Sequence, residues 1–201
     1  MSKSGVLVLA SASPVRSWVL KKAGLTFEVD AAEIDESEVK KDCHAAAMTA
    51  EDVATTLAEA KALAVSRRRP DAWVIGADQV LVFEGTIFDK PMDVEEAASH
   101  LRRFRGRSHD LVSAVCVAFG SRSRWLYSEA VTLHVRDFSN AFLDTYIADA
   151  GESILASVGA YRLEGLGAQL FSRIEGDYFA VLGLPLLPLL NFLRDREVIA
   201  T

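Results

Sequence analysis

The hydrophobic pattern opens with an unbroken apolar run, Val6 to Ala10, of the length of a buried strand, and breaks at Ser11. Ser13 and then Pro14 supply an N-cap and a first helical residue, so a helix is placed from there to about Ala23, closed by Gly24. TFEVD, residues 26 to 30, alternates as a short strand. The following AAEIDESEVKKDCHAAA has no clean period, is acidic at its start and reads as a loop. Thr49 caps a long helix from about Glu51 to Ser66, in which Val53, Leu57, Ala60 and Ala64 recur at helical spacing and Lys61 lies on the rim of the stripe.

Beyond it, WVIGADQVLVF reads as two strand segments interrupted at Gly76 to Gln79, EGT as a hairpin turn, and FDKP as the loop into another helix. Asp93 caps that helix, with Glu96 as its capping-box partner. LVSAVCVAFG and RWLYSEAVTLHVRDF form a long hairpin through Gly120 to Ser123, Ser139 caps a helix to about Asp149, and GLPLLPLLNFLRDRE is a last helix. No repeat or linker divides the chain, so residues 1–201 read as a single domain. Strands alternate with helices first and antiparallel strands follow, which predicts an α/β fold: a two-lobed mixed sheet with a central cleft.

Composition narrows the function classes. With 22 Lys and Arg against 28 Asp and Glu, the net charge of -6 argues against nucleic acid or an anionic membrane surface as partner. Cys43 and Cys116 form no Cys-x-x-Cys pair, so neither a disulfide framework nor a zinc knuckle is indicated, and a reducing, cytoplasmic setting fits. The opening MSKSGVLVLASA has the lysine, apolar run and small residues of a secretory signal, but its apolar part sits at the short end of the usual range of ~7 to 15 residues. FAVLGLPLLPLLNFL carries two prolines and falls short of the ~18 residues of a spanning helix.

Several residues could carry chemistry. Ser11, Ser13 and Arg16 gather at a helix N-terminus, where unsatisfied N–H groups and the macrodipole favour a phosphate, although Ser13 is equally a plain cap and Arg16 a surface cation. Asp78 is the sharpest anomaly: a carboxylate within an apolar strand is costly unless paired or metal-bound, which makes it a candidate general base or metal ligand, with Gln79 beside it to read a ligand edge. Asp35 and Glu36 offer a second carboxylate for Mg²⁺, which takes a few carboxylates together with phosphate oxygens; loop acids are otherwise simply solvated. Lys61 and Lys90 either neutralise phosphate charge or face water. His44, His100, His109 and His134 have no ligand spacing, and most of them read as structural. Together the set has the composition needed to stabilise a polyphosphate during displacement.

Six blocks in order, LASASPVR, GADQV, DKP, GRSH, GAYRLEG and GLPL, resemble the Maf family of nucleoside triphosphate pyrophosphatases over nearly the whole chain. The resemblance implies a fold similar to the inosine triphosphate pyrophosphatases, and hydrolysis between the α and β phosphates that depends on a divalent metal, Mg²⁺ or Mn²⁺. It also implies Ser11, Arg16, Lys61 and Lys90 as triphosphate contacts, Glu36 and Asp78 as metal-site acids, and Asp78 as the acceptor of the proton from water. A small-molecule nucleotide is the implied partner; whether the chain is a monomer or a homodimer stays open. Val15, Gln79 and Glu164 stand where many members have arginine, threonine and glutamine, and this resembles the subgroup associated with 7-methyl-GTP rather than the one associated with dTTP and UTP. A carboxylate at Glu164 suits the donors and the delocalised cation of an N7-methylated guanine. A nucleotide-sensing module without turnover is the competing class; a purely structural role has no positive support in the sequence.

Overall fold

A computed structural model describes residues 5–200. The first four residues of the signal-like opening lie outside them. A seven-stranded mixed sheet runs in the order β2-β1-β3-β5-β6-β7, with β4 paired to β3. Strands β1 (Leu7–Leu9), β2 (Glu28–Val29) and β3 (Trp73–Phe83) are mutually parallel, joined through helices α1 (Pro14–Lys22), α2 (Glu36–Ala45) and α3 (Ala50–Arg68). The remainder follows the antiparallel logic of tight turns: β3 returns as β4 (Thr86–Phe88) through Glu84 and Gly85, and β5 (Ser108–Phe119) returns as β6 (Arg122–Val135) through Gly120 and Ser121. β7 (Phe171–Glu175) pairs antiparallel with β6 across a bulge at His134/Val135.

The chain divides into two compact units. The first comprises the described residues up to Gln79, Ser113–Glu129 and those from Asp177 onward. Its core packs Leu9 and Ile75 of the sheet with Leu20 and Leu57, all fully buried, and Trp73 stacks on Phe119 with ring centroids 4.7 Å apart. The one-turn α6 (Tyr178–Val181) and the terminal α7 (Leu186–Asp195) belong to this unit. The second unit, Val80–Val112 with Ala130–Gly176, is built on an aromatic cluster of Phe83, Phe88 and Phe104. Helix α4 (Val94–Phe104) delivers Ala97, Leu101 and Phe104 to that core from one face, as the 3.6-residue period requires, and α5 (Asn140–Ala150) delivers Leu143 and Tyr146.

The capping residues stand where the sequence places them. Ser13, Thr49, Asp93 and Ser139 each accept a backbone N–H at their helix N-terminus, and Thr49 with Asp52 forms a complete capping box. Glu96 reaches back to the N–H of Met92. Two expectations are corrected. The acidic segment is not a loop but α2: Asp35 caps it by accepting from Ser37 and Glu38, and the helix exposes nearly all of its surface, with Cys43 alone buried, so no apolar stripe announces it. WVIGADQVLVF is likewise one continuous strand, because the Asp78 carboxylate is paired in place with Lys61. At the C-terminus of α3, Arg68 pairs with Asp30 and the following Arg69 with Glu28, tying the helix end to the β2 segment. Both cysteines are free and buried, and among the described residues no helix is long and apolar enough to cross a membrane.

In the second unit His109 is 2% exposed, its Nε2 lies 2.6 Å from the Tyr161 hydroxyl, and its ring packs on Phe104. Burial lowers its pKa to about 4. Between that value and an unfolded value of about 6.5 the unfolded chain binds the extra proton, so stability falls as pH drops through this window and is fully present above it. Comparing urea unfolding of the wild type and His109→Gln from pH 7 to pH 4.5, we expect the wild type to lose up to about 2.4 kcal/mol more than the variant. Parallel losses in the two proteins would refute this assignment.

Candidate active site

The centre of the first unit is a buried charge pair. Lys61, projecting from α3, donates from Nζ to Asp78 Oδ1 on β3 at 2.6 Å, and their side chains are 10% and 9% exposed. Two features of the sequence bring them together. Lys61 lies in a helix whose other buried residues are mostly small, including Ala54, Ala58 and Ala62. Gly76, two residues before Asp78 on the same strand face, has no Cβ, and one added there would lie 2.2 Å from the Ala58 carbonyl oxygen and 2.5 Å from the Ala62 nitrogen. The helix therefore rests directly on the strand, and the long lysine stem reaches the carboxylate across the closest part of the contact.

Lys61 Nζ also lies 2.8 Å from Glu36 Oε1, at the start of α2. Asp35 is occupied as the helix cap, while Glu36, one residue later, points its half-exposed carboxylate to the lysine. Arg16 completes the set. Its burial lowers the guanidinium pKa, against the opposing pull of the nearby Asp78 and Glu36 charges. Arg16 Nε donates to Gly183 O at 2.8 Å and Nη1 to Ser11 Oγ at 3.3 Å, while Ser11 Oγ also accepts the Ser13 N–H. Ser11, Arg16, Glu36, Lys61 and Asp78, distant in sequence, thus form one cluster of two cations, two carboxylates and a hydroxyl at the N-terminus of α1.

Gln79, also in this unit, directs its amide nitrogen to Ser113 Oγ and to the carbonyls of Ala180 and Val181, at 2.8, 3.0 and 3.1 Å. Sequence reasoning missed Ser113 and Gly183 as parts of this neighbourhood. The serine sits in LVSAVCVAF as a lone hydroxyl in an apolar run, the same kind of signal that marked Asp78; the Gly183 carbonyl has no side-chain signature at all. Lys90 and Glu164 belong to the second unit. Lys90 is exposed in the Asp89–Pro91 loop after β4. Glu164 Oε1 accepts from Arg162 Nε at 2.9 Å, its side chain is 19% exposed, and its charge contributes, after burial, to raising the Tyr146 pKa. Trp18 is exposed, whereas Trp73 and Tyr161 pack on other aromatic rings.

The donor chemistry of Glu36 and Asp78 fits a hard divalent cation. Two carboxylates converge on one point, where the lysine ammonium already stands as the balancing positive charge, and Mg²⁺ characteristically takes one or two carboxylates with water and phosphate oxygens.

A family model described as Maf-like protein matches residues 6–196. The chain belongs to the Maf family. This Maf chain is 51% identical to a nucleoside triphosphate pyrophosphatase of Granulibacter bethesdensis, over 96% of its own length and 98% of the relative. It is 48% identical to a 7-methyl-GTP pyrophosphatase of Rhizobium meliloti, again over 96% and 98%, and 47% identical to one of Brucella suis, over 96% and 97%.

Removing Lys61 strands Asp78 in a buried site. We expect Lys61→Met to destabilise the Maf chain by about 3 kcal/mol in chemical denaturation, and Lys61→Met/Asp78→Asn to recover part of that loss. A single variant as stable as the wild type would show that the pair carries no structural weight.

Proposed function

We propose that this Maf chain is a nucleoside triphosphate pyrophosphatase that cleaves between the α and β phosphates, releasing a nucleoside monophosphate and pyrophosphate. The observation that supports this best is the convergence of Asp78, Glu36, Lys61, Arg16 and Ser11 in one largely buried cluster. Fixed charges held away from bulk water stabilise a polyphosphate undergoing displacement without having to reorganise. The similarity to proteins that carry this name points the same way.

In this reading Asp78 accepts the proton of the attacking water. Its Oδ1 is held by Lys61, and a carboxylate has a second oxygen to accept from the nucleophile. As the water O–H bond breaks toward Asp78, the oxygen bonds to the α-phosphorus and the bond to the bridging oxygen breaks, so the charge leaves with pyrophosphate. Ser11 and Arg16 bind the phosphates at the α1 N-terminus, and Lys61 and Lys90 supply further positive charge. Glu36 and Asp78 are the residues that would hold Mg²⁺ or Mn²⁺, which when bound neutralises phosphate charge and polarises the phosphoryl oxygens. The setting we propose is the cytoplasm.

The substrate we favour is 7-methyl-GTP. Glu164 is an acceptor-only group when ionised, and one of its oxygens is already used by Arg162, which leaves acceptor capacity for the N1 and N2 donors of a guanine. Methylation at N7 adds positive charge to the base, which a carboxylate favours and a neutral amide does not.

Incubation with a panel of nucleoside triphosphates that includes 7-methyl-GTP should release pyrophosphate rather than orthophosphate. Asp78→Asn should lower kcat by about 10² to 10⁴ while nucleotide affinity is retained. A wild type that binds nucleotides without turnover would instead indicate a sensing module. Separately, Glu164→Gln should reduce kcat/KM for 7-methyl-GTP relative to dTTP and UTP by about tenfold, the worth of one charge-assisted hydrogen bond. Unchanged selectivity would remove Glu164 from base recognition.

A further inference from the structure

We infer that Lys61 and a divalent ion are alternative counter-ions for Glu36, so that the ion enters the cluster together with a polyphosphate and not ahead of it; the inference rests on the pyrophosphatase reading above. Lys61 Nζ donates to Asp78 Oδ1 at 2.6 Å and pairs with Glu36 Oε1 at 2.8 Å. One ammonium thus lies against both of the carboxylates that would hold the ion. A second cation bound by the same two carboxylates has to come close to that ammonium, and like charges that close repel strongly where water is largely excluded. Lys61 therefore opposes the ion for as long as its own charge is not taken up by something else.

The two contacts of the lysine are not equally free to change. Lys61 and Asp78 are both buried, on a helix and a strand whose backbones meet at Gly76, and separating them would strand two charges away from water. Glu36 is half-exposed and opens α2, a helix in which Cys43 is the buried residue, so its carboxylate can turn without disturbing a core. Glu36 is therefore the partner that exchanges. An ammonium has three N–H donors: one is committed to Asp78, and phosphate oxygens can take over the side turned to Glu36. Such a phosphate comes from close by, because Arg16 feels the charges of both Asp78 and Glu36 and bonds to Ser11, so a polyphosphate held by Arg16 and Ser11 meets Lys61 as well. Its negative charge then neutralises the lysine and releases Glu36 to the ion, while Asp78 stays paired through Oδ1. Metal and polyphosphate accordingly raise each other's affinity by the same factor, and Lys61 carries part of that coupling.

The test reads metal binding directly and needs no turnover. Mn²⁺, followed by the loss of its free-ion electron paramagnetic resonance signal, is titrated into the whole protein without nucleotide. Lys61→Met should bind it at least about tenfold more tightly than the wild type, because a neighbouring positive charge has gone. Mn²⁺ should correspondingly raise the Tm of the variant more than that of the wild type. The gain should disappear in the double variant Glu36→Gln/Lys61→Met. With inorganic pyrophosphate added and free Mn²⁺ fixed by a metal-ion buffer, the affinities of wild type and Lys61→Met should converge to within about threefold, since phosphate then takes up the lysine charge. Should Lys61→Met fail to fold by circular dichroism, Lys61→Gln, whose amide keeps a donor for Asp78, takes its place with the same expectations. Equal or weaker Mn²⁺ binding by the lysine variant, a gain that survives Glu36→Gln, or a difference that pyrophosphate leaves intact overturns the inference. A wild type that hydrolyses no triphosphate defeats the pyrophosphatase reading instead, and the Mn²⁺ titrations still decide whether Lys61 and the ion compete.

Discussion

The pairing of Lys61 with Asp78 is the constraint to which the rest of the first unit is fitted. A carboxylate in the middle of an eleven-residue, largely buried strand would cost several kcal/mol if left alone, so the strand can stay continuous only if a cation comes to it. The cation is carried on a helix, which has to lie close enough for its lysine to reach. Gly76 and the row of alanines on α3 provide that closeness. Backbone packing and charge compensation are thus one arrangement: the lack of a side chain at Gly76 is what permits the charge at Asp78.

A buried ion pair of this kind contributes little net stability compared with a well-packed apolar pair, because desolvation offsets most of the attraction. What it does supply is a carboxylate and an ammonium held in fixed register. Arg16 carries the same signature: burial depresses its pKa even with two carboxylates opposing the shift, so the protein holds a guanidinium in surroundings that disfavour its charge. The two cations are thus a buried ammonium and a half-buried guanidinium. Glu36 and Asp78 balance the two cations, so the cluster is not a purely positive patch.

The second unit uses a different device. His109 is kept neutral by burial and touches the Tyr161 hydroxyl, which holds the GAYRLEG loop against β5, and Glu164 lies three residues further along that loop. The Arg162–Glu164 contact limits where the carboxylate can point. The placement of the loop and the direction of its carboxylate are therefore set by separate contacts, His109 with Tyr161 for the first and Arg162 for the second.

Reading the chain residue by residue located every capping residue it named, the parallel-then-antiparallel order of strands and the two tight hairpins, because these follow from local chemistry: a side-chain oxygen beside a helix start, an apolar run of strand length, a turn residue at a fixed offset. It also located Asp78, since a charge in an apolar run is conspicuous wherever it occurs. Nothing local shows that the charge is matched by Lys61, seventeen residues earlier, so the pattern predicts a break where the strand runs on. It missed α2 because that helix buries almost nothing and leaves no periodic trace. The direction of the Gln79 amide, the buried hydroxyl of Ser113 and the Gly183 carbonyl that grips Arg16 were decided only in three dimensions, since which acceptor a donor finds depends on what the fold brings within about 3 Å.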